Sequence, residues 1–111
     1  MKSDISSWLG LAQRSGNLIT GEDTCQFYIK KNAVKLIIIP EDASSQTQKK
    51  FQDIARHRNI PFVIYGRRDI LSQAIGKSNR TVYAIKDQAF AKKILSLIEE
   101  HRGSLNNRGG E

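Results

Sequence analysis

The chain has 111 residues, with 18 lysines and arginines against 11 aspartates and glutamates, which gives a formal net charge of +7. This length fits one domain and leaves no room for a second core. The excess of positive charge favours a nucleic acid over an acidic membrane surface as a partner. The longest branched-aliphatic run, Leu36–Ile39, is too short to cross a bilayer, and the N-terminus lacks the apolar core of a signal peptide. We therefore expect a cytoplasmic protein with no membrane partner.

Redox, metal and catalytic chemistry have little basis in this sequence. Cys25 is the only cysteine, which excludes an internal disulfide, and His57 and His101 do not give it a metal-ligand spacing. We interpret Cys25 as a small core residue. Glu41 and Asp42 follow a predicted strand and are interpreted as polar residues that help to start the next helix. Because common catalytic motifs are also missing, we expect no metal, no cofactor, no small-molecule substrate and no enzymatic activity.

The first half of the chain predicts two helices and two strands. The first helix is capped by Ser3 and Asp4 and ends at Gly16. A short strand at 18–20 and a second helix follow. The β-branched and leucine run at 34–39 is typical of a strand buried on both faces, so it should lie centrally in a sheet. The buried sides of the two helices are predicted to carry Ile5, Trp8, Leu9, Ala12, Cys25, Tyr28 and Ile29.

The second half continues the same alternation. Two serines cap a third helix, a strand is predicted at 62–65, and a short fourth helix ends at Gly76. A strand at 81–85 precedes a last helix that is capped by Asp87. The inward-facing residues of these three helices are predicted to be Phe51, Ile54, Ala55, Ile70, Leu71, Ala74, Ile75, Phe90, Ile94, Leu97 and Ile98.

Strands that alternate with helices predict an α/β fold with helices on both faces of one sheet, a three-layer α/β/α sandwich. Residues 102–111 carry almost no apolar side chain that could be buried. We therefore predict a single domain at residues 1–101 and a flexible tail at 102–111.

Four segments together carry a family resemblance. They are LGLAQRSG at 9–16, TGE at 20–22, VKLIIIPEDAS at 34–44 and LSQAIGK at 71–77. In this order they resemble the ribosomal-protein family of kink-turn RNA binders, and specifically its short bacterial YlxQ-type members. The resemblance covers residues 8–98. It implies a three-layer sandwich around a mixed four-stranded sheet, no enzymatic activity, and RNA held at one end of the molecule.

The resemblance places the RNA site at the start of the second helix and in the loop before the last strand. In the strongest RNA binders of the family, the glycine is followed by a small residue, Asn-Glu, two more residues and a lysine. Here Gly21 matches, but Asp23, Thr24 and Phe27 replace the asparagine, the glutamate and the lysine. Asp23 can accept a hydrogen bond from guanine but lacks the amide donor, and Phe27 has no charge. The departures favour phosphate binding over faithful recognition of sheared G·A pairs.

The basic residues of the second half support the same interpretation. The resemblance keeps Arg68 near the start of the fourth helix, and the loop at 76–80, apolar in many family members, is polar and basic here. Such a loop suits contacts with the RNA backbone. In the implied fold the basic side chains converge with Gly21 at one end; the alternative is that they form a solvated charged face. These basic residues are Arg67, Arg68, Lys77 and Arg80.

We predict a monomeric protein that binds structured RNA, kink-turn-like or ribosomal, mainly through the RNA backbone. The predicted RNA-binding residues are Thr20, Gly21, Asp23, Thr24, Arg68, Lys77, Asn79 and Arg80. Gly21 admits the RNA backbone, and Thr20, Asp23 and Thr24 face the bases. The other four residues, which contact phosphates and sugars, are Arg68, Lys77, Asn79 and Arg80. Two alternatives are a substrate-recruiting domain that acts with an RNA-modifying enzyme, and a protein-interaction module whose basic surface is incidental.

Overall fold

The computed structural model describes the backbone of residues 5–110 and the side chains of residues 5–102. The predicted alternation of helices and strands is confirmed within this range. The elements are α1 (Ile5–Arg14), β1 (Leu18–Thr20), α2 (Glu22–Lys30), β2 (Leu36–Ile39), α3 (Ser45–Arg58), β3 (Phe62–Ile64), α4 (Arg68–Ala74), β4 (Tyr83–Ile85) and α5 (Gln88–Gly110). The predicted cap of α1 at Ser3 and Asp4 lies outside the described residues.

The four strands form one mixed sheet with the order β1-β4-β2-β3. The strands β2 and β3 are parallel, whereas β4 runs antiparallel to both β1 and β2. All four residues of β2 are buried, and the strand lies inside the sheet, as its continuous apolar sequence predicts. The mixed four-stranded sheet implied by the family resemblance is therefore confirmed.

Helices cover both faces of this sheet, which confirms the three-layer sandwich. Leu36 and Ile38 of β2 face a core formed with α1, α4 and α5, whereas Ile37 and Ile39 face a second core formed with α2 and α3. This division follows from the strand itself, because successive side chains point to opposite faces of a sheet. Cys25 is buried in the second core, as expected.

The buried side of helix α4 differs from the predicted one. Ile70, predicted to face inward, is 52% exposed, whereas Ser72 is 1% exposed. The face that meets the sheet carries Leu71, Ser72 and Ile75, which are spaced as one side of a helix. The prediction for Ile70 is wrong because it assigned the buried side by apolar character alone, and the buried polar residue shifts that side by one position.

The helix α5 continues beyond the predicted end of the domain. Asp87 caps it by accepting a hydrogen bond from the Phe90 N–H at 2.9 Å, as predicted. The backbone then stays helical to Gly110, where the sequence predicts a tail from residue 102 onward. No proline interrupts this segment. The predicted flexibility of the tail stays a prediction, and Glu111 lies outside the described residues.

The strand register brings four connections to one end of the sheet. Thr20, Tyr83 and Ile38 lie side by side, so the carboxyl ends of β1 and β2 meet the amino end of β4. Ile39 pairs with Ile64, which adds the carboxyl end of β3. We call this part of the molecule the loop end, and it comprises the segments 20–24, 40–44, 65–68 and 76–82.

Candidate nucleic-acid interface

Gly21 joins β1 to α2 in a backbone conformation that requires glycine. Its φ of 94° and ψ of 145° lie in a region that residues with side chains rarely adopt. Its N–H donates to the Val82 carbonyl at 3.1 Å, so this donor is used within the protein. A Cβ atom placed at Gly21 would meet no atom within 4 Å. The residue is therefore fixed by its backbone angles, and the space beside it is open to a ligand.

The exposed side chains in the first turn of α2 are hydrogen-bond acceptors and carry no positive charge. Asp23 and Thr24 are exposed there, one and two residues after the Glu22 that begins the helix. The Glu22 carboxylate is 3.1 Å from the Lys50 ammonium of α3. Two carboxylates match the positive end of the helix dipole, and they also repel phosphate groups. This edge therefore suits donors such as the N–H groups of RNA bases.

A closed ring of hydrogen bonds holds the loop before β4. The Arg80 N–H donates to Ser72 Oγ at 2.8 Å, and the Tyr83 hydroxyl donates to the Arg80 carbonyl at 3.0 Å. The two hydroxyl oxygens are 2.7 Å apart. Because Tyr83 gives its proton to Arg80, the Ser72 hydroxyl donates to Tyr83 and closes the ring. Both polar groups of the Arg80 backbone are therefore fixed from the core.

Burial controls the protonation of this ring. Ser72 and Tyr83 are 1% and 0% exposed. Desolvation raises the pKa of Tyr83, while the hydrogen bond from Ser72 and the positive charge of Arg80 act in the opposite direction. The Tyr83 hydroxyl consequently keeps the proton that it donates to Arg80 at neutral pH.

The polar side chains of this loop face outward from that anchor. Lys77 and Asn79 are exposed, and Asn79 has a φ of 58°, a left-handed conformation that asparagine tolerates. Arg80 is half-buried: its Nε is shielded from solvent and has no hydrogen-bond acceptor among the described residues, so contact with a ligand falls to the other nitrogens of the guanidinium. The loop thus offers a lysine, an amide and an incompletely paired guanidinium on a backbone that is held in place.

Arg68 lies at the loop end but shares a carboxylate with Arg67. Its N–H donates to Asp42 Oδ1 at 2.8 Å, and its Nε is 3.6 Å from Oδ2 of the same residue. Arg67 Nη2 is 3.8 Å from that oxygen. These groups, led by the Arg68 N–H, lower the pKa of Asp42. The charge of Arg68 is therefore partly neutralised within the protein.

Asp42 does not have the role predicted from the sequence. The N-cap of α3 is Ser44, whose Oγ accepts from the Thr47 N–H at 3.1 Å. Asp42 instead binds the start of α4, 26 residues further along the chain. The prediction that it helps to start the next helix is wrong, because a tertiary contact uses the carboxylate.

The eight predicted RNA-binding residues all lie at the loop end. Thr20, Gly21, Asp23 and Thr24 approach the loop before β4 through the hydrogen bond from Gly21 to Val82. Sequence reasoning missed three residues that support them, namely Asp42, Ser72 and Tyr83. A usable indication was the tyrosine in a buried strand, since a buried tyrosine hydroxyl usually has a partner.

Other parts of the described structure offer less for chemistry. A cleft of 320 Å³ lies at the opposite end of the sheet, and none of the predicted site residues lines it. Burial raises the pKa of Cys25 to about 12, which leaves the thiol unreactive. Among the described residues, no group of three or more His, Cys, Asp or Glu side chains could hold a metal ion, and no helix is long and apolar enough to cross a membrane.

Comparison with known sequences supports the family resemblance. Residues 3–96 match the Ribosomal protein L7Ae/L30e/S12e/Gadd45 family. The RNA-binding protein YlxQ of Bacillus subtilis (strain 168) is 40% identical over 91 residues, which cover 82% of this chain and 91% of that protein. The RNA-binding protein YlxQ of Enterococcus faecium is 40% identical over 92 residues, which cover 82% of this chain and 87% of that protein.

Comparison with solved structures agrees with the sequence matches. A protein of unknown function from Bacillus halodurans C has a TM-score of 0.84 and 37% identity, covering 88% of this chain and 99% of its own. The Giardia lamblia 15.5kD RNA binding protein has a TM-score of 0.70 over 90% of this chain and 92% of its own, and its 14% identity shows a shared fold alone. The predicted resemblance is confirmed: this chain belongs to the ribosomal protein L7Ae/L30e/S12e/Gadd45 family.

Proposed function

We propose that this protein binds structured RNA at its loop end, mainly through the RNA backbone, and acts by binding rather than by catalysis. One observation carries the proposal: the open space beside Gly21 lies next to a basic loop whose backbone is anchored in the core. Two relatives that are RNA-binding proteins, those of Bacillus subtilis and Enterococcus faecium, support it. A cytoplasmic location and a monomeric state belong to the same proposal.

The charges divide the surface into two parts with different tasks. Lys77 and Arg80 contact phosphates, because neither forms an ion pair with a carboxylate among the described residues. Asp23 and Thr24 contact base edges, where a carboxylate and a hydroxyl can accept hydrogen bonds. Arg68 contributes less, because it shares Asp42 with Arg67.

The remaining predicted residues complete the surface. Asn79 offers an exposed amide that can contact a sugar hydroxyl, and Thr20 lies at the end of β1 beside the loop. Gly21 leaves room for the RNA backbone. With Asp23 and Thr24 in place of an amide and a carboxylate, we propose that sheared G·A pairs of a standard kink-turn are recognised only weakly.

The test is an RNA titration at several salt concentrations with the full chain. A kink-turn hairpin and a structured fragment of ribosomal RNA serve as probes. We expect affinity to fall steeply with salt, and replacement of Lys77 and Arg80 by alanine to lower the salt slope by about 1.4 to 1.8, since each phosphate contact contributes about 0.7 to 0.9. No affinity for either RNA at low salt would overturn the proposal.

The matched control removes two charges elsewhere. Lys35 and Lys92 are exposed lysines that precede β2 and lie near the start of α5, at the end of the sheet opposite the loop end. Their joint replacement by alanine gives the same net charge as the loop variant and should change the slope much less. Equal effects of the two variants on the salt slope would show that net charge alone governs binding. That result would favour the alternative interpretation, in which the protein is a protein-interaction module and its basic surface is incidental.

A further inference from the structure

Phe27 leaves a large apolar ring in solvent on the outer side of α2. The ring is 53% exposed, whereas the buried side of this helix is formed by Cys25 and Ile29. It contacts Tyr28 edge to face, with 5.1 Å between the ring centroids and an interplanar angle of 87°. The core therefore does not explain why a phenylalanine occupies this position.

Two lysines accompany these rings. The Lys31 ammonium lies 5.1 Å from the centroid of the Phe27 ring, and the Lys86 ammonium lies 4.5 Å from the centroid of the Tyr28 ring. Neither lysine forms an ion pair with a carboxylate within the described part of the chain. We call Phe27, Tyr28, Lys31 and Lys86 the aromatic strip. Tyr28 is partly buried against the second core, so Phe27 supplies the exposed ring of this strip. An exposed ring beside unneutralised cations has the chemistry that binds unpaired nucleotides, because a base stacks on the ring and phosphates contact the cations.

The aromatic strip continues the proposed RNA surface. Asp23 and Phe27 are four residues apart on α2, so their side chains are neighbours on the helix surface, roughly 5 to 6 Å apart at Cβ. An RNA strand that contacts Asp23 at the loop end can therefore pass over Phe27 without any change in the protein backbone.

We infer that Phe27 stacks on an unpaired base of the bound RNA, and that Lys31 and Lys86 contact the phosphates of the adjoining nucleotides. The inference rests on the proposed function and adds a class of ligand to it, namely unpaired nucleotides next to a paired stem. The ring takes any base, because every base has a face on which it can stack.

The experiment pairs a change in the protein with a change in the RNA. The probes are an RNA hairpin with a bulge of three adenosines and the same hairpin with three abasic residues in the bulge. Loss of the bases should weaken binding of the native protein about 5- to 150-fold, and F27A should cause a loss of the same size with the intact bulge. F27A should lose nothing more with the abasic bulge, because the two changes remove one contact.

Three variants of the chain define the contact further. F27W should restore the affinity for the intact bulge, because tryptophan also offers a stacking face. L11A shortens another exposed apolar side chain, 43% exposed on α1 in the other helical layer, and should leave binding unchanged. K31A should lower the salt slope by about 0.7 to 0.9.

The outcomes separate this inference from the proposed function. Native affinity in F27A, together with loss of affinity in the double alanine variant of Lys77 and Arg80, would overturn the stacking contact and leave the RNA function in place. An equal loss for F27A with both hairpins would also overturn it, because the ring would then act without the bases. Failure of the native protein to bind the hairpin with the intact bulge, while it binds the kink-turn hairpin or the ribosomal fragment, would overturn this inference alone. Failure to bind any of these RNAs would overturn the RNA function itself.

Discussion

Replacement of Tyr83 by phenylalanine tests whether the ring of hydrogen bonds positions the proposed RNA-binding loop. The substitution removes one hydroxyl from a side chain that is 0% exposed and changes little of its volume. The Arg80 carbonyl then loses its donor, and the Ser72 hydroxyl loses its acceptor. Leaving such buried groups unpaired costs about 1 to 3 kcal/mol, so the free energy of unfolding should fall by that amount.

Urea and thermal unfolding measure this loss. At about 4 °C per kcal/mol for a domain of this size, the midpoint temperature should fall by roughly 4 to 12 °C. The matched control is Y28F, since the Tyr28 hydroxyl forms no hydrogen bond within the described part of the chain. That variant should stay within about 0.5 kcal/mol of the native protein.

The same variant should also weaken RNA binding without touching the RNA. A freed Arg80 backbone loosens the segment that carries Lys77 and Asn79, so affinity should fall even under conditions where Y83F is fully folded. S72A should cost a similar amount, and the double variant should cost clearly less than the sum, because both changes break one ring. Full additivity, or a stability of Y83F within about 0.5 kcal/mol of the native protein, would refute the ring.

Three other outcomes concern pH, base recognition and the tail. Because burial raises the pKa of Tyr83, the neutral hydroxyl stabilises the fold fully below about pH 10, and this stabilisation is lost as the pH rises above that value. Above about pH 10, the urea midpoint of the native protein should therefore fall more steeply with pH than the urea midpoint of Y83F. The double variant Asp23→Asn and Thr24→Glu should bind a standard kink-turn hairpin more strongly, by about 1 to 3 kcal/mol for each good base contact. If the native protein binds this hairpin tightly and Asp23→Ala does not weaken the binding, the RNA lies on another surface. Deletion of residues 103–111 should leave the unfolding temperature nearly unchanged, because Leu105 is the only large apolar residue removed, and a large fall would show a docked tail.

Much of the fold could be predicted because local pattern and tertiary structure agree. The all-apolar β2 had to lie inside a sheet covered on both faces, and Asp87 and Ser44 cap the helices that follow them. The failure at α4 has a physical cause: Ile70 and Leu71 are equally apolar, and only the buried partner of Ser72 decides which side of the helix turns inward.

The location of the candidate site could be predicted from the sequence, but the hydrogen bonds and ion pairs within the site could not. The family resemblance put the eight residues at one end, and the strand register explains why they meet there. The contacts of Asp42 with Arg68 and of Ser72 with Tyr83 join residues that are 26 and 11 positions apart. No periodicity connects such pairs, because they depend on how the layers pack. The exposure of Phe27 is likewise set by how α2 packs, and the sequence pattern alone does not reveal it.

In the proposed complex, the distribution of charge at the loop end sets the orientation of the RNA. Asp42 shares its single negative charge between Arg67 and Arg68, and the acidic first turn of α2 repels phosphates. The loop at 76–82 therefore carries the positive charges of this end that have no carboxylate partner among the described residues. We therefore expect the backbone of the RNA to follow that loop and its base edges to turn toward α2. Because the loop is anchored through Arg80, the distance between the two contact regions is fixed before RNA arrives, which lowers the entropic cost of binding. We therefore expect the protein to discriminate by the shape of the RNA first and by its bases second.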